Sequence, residues 1–195
     1  MTNRITALFV LTCSFFLSLS ATASGEARPI VALSPAEAVQ ARETILRWLE
    51  CEECRSGELR GVTGLGPVAI PSLIASLHQG PSQAKKEMMR RRLSSVYNDL
   101  DPTYKVESET DYIEHYQGKY FASYQIRAAK ALACIGGEEA ARGLKDVLHT
   151  PLDRGVAKAV ENALVQLNKR ATGNETEFCR DPRRTQEALN LRRRP

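Results

Sequence analysis

The chain has 195 residues, with 27 basic and 23 acidic side chains and a formal charge of +4. From Arg170 onward it carries seven arginines and four acids, so most of the basic excess lies there and the remainder is near neutral. That balance is too weak to track a phosphate backbone, so no nucleic-acid partner is expected, while the length suffices for one buried core.

Arg4 precedes an almost wholly apolar run, Ile5 to Leu19, and Ala21-Thr22-Ala23 follows as a small-x-small site. This is the layout of a secretory signal peptide, residues 1–23, cut after Ala23, and it places the protein in the periplasm or outside the cell. The apolar run is about 15 residues against the roughly 20 that span a bilayer. No stable membrane span is therefore expected after cleavage. Residues 24–33 read as a short lead-in with Gly25 and Pro29.

Helical signals then dominate residues 34–169. Ser34-Pro35-Ala36-Glu37 combines an N-cap, a first-position proline and the glutamate of a capping box. Val39, Ile45, Leu46 and Leu49 form the apolar face of the helix it opens, Trp48 sits at the edge of that face, and the end falls near Arg55. A short helix spans 58–65. Ile70, Leu73, Ile74 and Leu77 mark the next, stopped by Gly80-Pro81. Met89, Leu93, Val96, Tyr97 and Leu100 share one face of a helix over 82–100, and Asp101-Pro102 ends it. A polar loop over 105–110 leads into a long helical pattern that reaches Ile135. Gly136-Gly137 reverses the chain, a return helix covers 138–149, and Thr150-Pro151 breaks it. Val156, Val160, Ala163, Leu164 and Leu167 rebuild the Tyr124 face with a period of 32. No segment alternates with period two, so the fold class is all-α. Residues 170–195 form a basic tail, with Phe178, Leu189 and Leu191 as its apolar anchors.

The stretch R-A-A-x-A-L-x-x-I-G-G-x-x-A-x-x-x-L, from Arg127 to Leu144, resembles the short HEAT repeats of the phycobilisome-lyase type. Leu65 to Ile74, L-G-x-x-A-I-P-x-L-I, is similar to the second half of the same unit. Leu65 and Ile135 lie 70 positions apart, more than two repeat periods, so the repeats are interrupted by an irregular insert. The resemblance implies a HEAT-like α-solenoid of helical hairpins that serves as a binding surface. It carries no lyase activity with it, because no residue here matches a lyase-specific motif.

Four cysteines lie beyond the signal segment, an even count that suits disulfides in an exported protein: Cys51, Cys54, Cys134 and Cys179. Cys51-Glu52-Glu53-Cys54 admits three readings: a structural loop disulfide, half of a metal site, or a redox dithiol. A helix C-terminus and two glutamates disfavour the thiolate that redox chemistry needs. A zinc site would need two further ligands, with His78, His115, Cys134 and Cys179 as candidates, none in paired spacing. Arg55 stands where covalent haem attachment requires histidine. Cys134 falls where such repeats carry an outward polar residue, which would let it meet Cys179 and fold the tail over the last hairpin.

All six tyrosines lie between Tyr97 and Tyr124. Tyr112, Tyr116, Tyr120 and Tyr124 recur every four residues and so form a ladder on one helix face, with His115 beside it. The ladder reads either as an aromatic binding surface or as packing against neighbouring helices, which Ile113 and Phe121 favour. No phosphate loop, nucleophile elbow or paired-histidine motif occurs, so no catalytic residue, metal or cofactor is assigned. The expected function is a non-enzymatic exported module that binds a protein, or another ligand, in the cell envelope. The alternative is a thiol-disulfide or metal-dependent enzyme centred on Cys51 and Cys54.

Overall fold

Short polar side chains set where most of the helices begin. In the computed structural model, which describes residues 34–51, 56–173 and 179, helix α1 runs Pro35–Glu50. Ser34 Oγ accepts from the Glu37 N–H and Glu37 Oε2 accepts from the Ser34 N–H, closing the capping box. Ser82, Ser108 and Asp153 cap α4 (Gln83–Asp99), α5 (Glu109–Ile135) and α7 (Arg154–Ala171) in the same way, each accepting from a backbone N–H of the first turn. Between them lie α2 (Ser56–Gly64), α3 (Ile70–Gln79) and α6 (Glu138–Val147), with 3-10 turns at Gly66–Ala69 and Pro102–Tyr104. The described residues hold these seven α-helices and no strand, so the protein is all-α. Among them no single helix is long and apolar enough to cross a membrane. The expected signal peptide over residues 1–23, the expected lead-in over 24–33, Cys54 and nearly all of residues 170–195 beyond Gly173 lie outside the described residues.

Helix α5 is the hub, packing against α1, α2, α3, α4, α6 and α7. Its C-terminal half supplies Tyr124, Ala128, Ala129, Ala131, Leu132 and Ala133 to the core. Four alanines in that stretch keep its surface low, so that neighbouring helices approach on several sides. The core leucines Leu49, Leu73, Leu77, Leu132 and Leu144 are fully buried, each contributing about 1.5–3 kcal/mol by transfer out of water. Gly136 and Gly137 take φ of 81° and 91°, a left-handed conformation that costs glycine little and lets the chain reverse into α6.

Several expectations need correction. α1 ends at Glu50 rather than near Arg55, with Cys51 as its extended C-cap. Val39 is 58% exposed and Ala41 takes its place in the core, while Trp48 is buried rather than marginal. The cause is tertiary: the Trp48 side of α1 meets α5, and its Nε1 donates to Arg127 O at 3.0 Å. α4 buries no residue at all. Met89, Leu93, Tyr97 and Leu100 are half-buried and Val96 is exposed, because α4 leans mainly on α5. Finally, Cys134 is buried, not outward. Arg170 Nη1 donates to the Ala133 and Cys134 carbonyls, so α7 lies close over this end of α5.

Candidate functional site

The tyrosine ladder divides into two environments. Tyr124 is a core residue of α5 hydrogen-bonded to Ser76, and burial pushes its phenol above the usual value. Tyr120 is half-buried and packs at 6.2 Å against Phe121. Toward the N-terminus of α5 the ladder comes into the open. Tyr112 packs in tilted pairs at 4.6 Å against Tyr116 and at 5.3 Å against Tyr97 of α4, and His115 meets Tyr116 edge-on at 5.1 Å. These separations fall within the favourable range for aromatic pairs. Tyr116 remains exposed, and His115 with it. Lys105 lies over Tyr97 and Lys119 over Tyr116, each 5.2 Å from the ring centroid. Tyr97 Oη donates to Glu107 O, fixing the α4–α5 connection beside this aromatic face. Tyr104 and Val106 project from the same connection and are strongly exposed.

Thus Tyr112, Tyr116 and His115 are brought together, while Tyr120 and Tyr124 belong to the packed part of α5. Tyr97 and Lys105 join the cluster from outside the ladder. The four-residue spacing could not reveal them, because they reach the cluster through the pairing of α4 with α5.

Comparison of the chain with family models, with curated proteins and with solved structures returns no match.

Cys134 and Cys179 are joined in a disulfide, with Cα atoms 5.3 Å apart. Cys51, at the C-terminus of α1, is also disulfide-bonded, and Cys54 lies outside the described residues. Among the described residues no three His, Cys, Asp or Glu side chains converge to hold a metal.

Two concave surfaces escaped the sequence. A groove of about 730 Å³ lies across α1, α3 and the N-terminus of α4. Ala38, Ala41, Ile45, Leu46, Val68 and Ala75 give it apolar walls, and Arg42 and Lys86 bring charge from opposite helices. A smaller cavity of about 510 Å³ between α5 and α7 is lined by Ile126, Lys130, Asn162 and Gln166 with three alanines. Burial lowers the Lys130 ammonium from its usual value, and its Nζ lies 5.8 Å from the Trp48 ring centroid. Both surfaces are assembled from helices that are far apart in the sequence, so neither leaves a local motif.

Proposed function

We propose that the protein is an exported, non-enzymatic helical-repeat module of HEAT-like type that binds a protein partner in the cell envelope. The aromatic face of α4 and the N-terminal half of α5 is its working surface. The observation that carries this reading is the exposure of Tyr116 and His115 within an aromatic cluster whose geometry is already fixed by Tyr97 and Tyr112. Rigid aromatic area loses little conformational entropy on binding, and Tyr is favoured at the centres of interfaces for that reason. Tyr104 and Val106, strongly exposed on the α4–α5 connection, add further apolar area at this end of the molecule.

The repeat architecture is part of the same proposal. It is supported by the packing of α7 against α5, the two helices whose apolar faces the sequence relates by a period of 32.

Photo-crosslinking tests the surface. A benzophenone side chain replacing Tyr116 should yield a discrete adduct with one protein in the source cell, and the same probe replacing Lys158 on α7 should not. Identical adduct patterns at both positions would remove the aromatic face from consideration. Turnover of a substrate by the purified protein would remove the non-enzymatic reading.

A further inference from the structure

We infer that the groove across α1, α3 and the N-terminus of α4 binds an acidic, partly apolar peptide segment of a protein partner. This site is separate from the aromatic face and stands whether or not that face is used.

Charge, shape and donor chemistry agree. The volume of about 730 Å³ lies within the range of ligand-binding clefts, roughly 300–1,000 Å³. Among its described lining residues there are two cations and no carboxylate. Arg42 makes no hydrogen bond or ion pair among the described residues, and its guanidinium suits a carboxylate in fork geometry. Lys86 is held from the opposite wall by its contact with the Gln79 carbonyl and by its position 5.2 Å from the Phe121 centroid. The nearby Glu50 carboxylate is engaged by Lys85 at 2.5 Å and does not line the groove.

The entrance to α4 strengthens the anionic preference. Gly80, Pro81, Ser82 and Gln83 line the groove, and Ser82 Oγ already accepts the Lys85 N–H. The first N–H groups of this 17-residue helix, at Gln83 and Ala84, have no intrahelical acceptor and carry the positive end of its dipole. Ser72 and Gln79 on α3 add a hydroxyl and an amide suited to a peptide main chain. The apolar walls from Ala38, Ala41, Leu46 and Val68 suit small or branched side chains between the acids. A wholly hydrophilic anion would leave these walls wet.

The probes are three fluorescein-labelled octapeptides of the same length: glutamate alternating with leucine, glutamine alternating with leucine, and lysine alternating with leucine. The full chain should bind the glutamate peptide saturably, with affinity falling as salt rises. The glutamine and lysine peptides should bind at least about tenfold more weakly, the scale of one lost charged hydrogen bond. Arg42→Glu, at an exposed position, and Lys86→Gln should each reduce glutamate-peptide affinity about tenfold or more, with unchanged circular dichroism. Lys158→Ala, at an exposed position on α7, should leave it unaltered. Equal binding of the glutamate and glutamine peptides would overturn the inference. So would full affinity in Arg42→Glu, or Arg42-dependent binding to phosphatidylglycerol vesicles without binding of the glutamate peptide.

Discussion

Gly143 sits on α6 where a Cβ would come within 2.4 Å of Ile74 Cδ1 and 2.6 Å of Ile74 Cγ1. Its hydrogen is what allows the Ile74 side chain of α3 to lie against α6. Gly118 is the opposite case: it is in the middle of α5, exposed, and a Cβ there meets nothing within 4 Å. Gly118→Ala should therefore raise stability by about 0.5–1 kcal/mol through helix propensity, whereas Gly143→Ala should lower it by about 1–3 kcal/mol through overpacking. Urea unfolding of the two variants gives the signs directly, and equal signs would contradict the α3–α6 contact. The sequence marks Gly118 as a weak point in a helical run and says nothing of Gly143, whose constraint comes from a residue 69 positions earlier. Tyr124 gives a pH prediction of the same local kind. Burial holds its phenol above the ordinary value of 10.0, so the folded state keeps a proton that the unfolded chain releases. Stability from this group is complete below pH 10.0 and is lost as pH rises beyond it. Lys130, lowered by burial, acts with the opposite sign at alkaline pH. The comparison is therefore between wild type and Tyr124→Phe: the alkaline loss should be smaller in the variant, and superimposable pH profiles would show that Tyr124 is not buried as described.

At the scale of elements, the α1 N-cap and the double-glycine turn could be read directly because their chemistry is local. Ser34 with Glu37, and Gly136 with Gly137, fall where their residue types demand, whereas the Ser82, Ser108 and Asp153 caps were not singled out. Burial was harder to read. The apolar spacing of α4 is as regular as that of α7, yet α7 buries Val156, Val160, Ala163 and Leu167 and α4 buries nothing. Periodicity shows that a helix has an apolar face but not how many neighbours will cover it. The same limit explains Cys134. A position that is outward in an isolated hairpin becomes buried once α7 and Cys179 cover it. Its disulfide spans 45 residues, and loss of such a cross-link costs about 4 kcal/mol in the chain-entropy model. Cys179→Ser and Cys134→Ala should thus be destabilised by similar amounts under oxidising conditions, and the double variant should be no worse than the weaker single one. Alanine suits position 134 because a serine hydroxyl would be buried there. Urea denaturation of the three proteins, beside reduced wild type, checks this. Unchanged stability in Cys179→Ser would show that the cross-link does not hold α5 and the following segment together.

For the molecule as a whole, the two halves of α5 have different surroundings. The half from Tyr124 to Ile135 carries most of the buried residues of α5 and is bonded to α1, α3 and α7 through Trp48, Gln125, Arg127 and Arg170, while the half from Glu109 to Tyr120 meets α4 through Ser94–Glu109, Tyr97–Tyr112 and Gln117–Lys86. Only Ile113 in that outer half is buried, and α4 contributes no buried partner. Fewer buried apolar contacts mean a lower free energy of local opening, so α4 and the outer half of α5 should exchange amide hydrogens before the inner half. Both halves belong to one continuous helix, which makes the contrast a test of packing rather than of helix type. Trp48 supplies an independent monitor, since it is the only tryptophan, is buried at the α1–α5 contact and donates to Arg127 O. Arg127 Nη1 donates in turn to Leu49 O at 2.8 Å, so this node ties α1 to the inner half alone. At low denaturant, protection over residues 83–99 and 109–120 should fall while Trp48 fluorescence and protection over 128–135 and 156–167 stay native. Tyr97→Ala should widen that gap, because Tyr97 links α4 to Tyr112 and to the Glu107 carbonyl. Uniform protection along the whole of α5, lost together with the Trp48 signal, would mean that the aromatic hairpin and the core open as one unit.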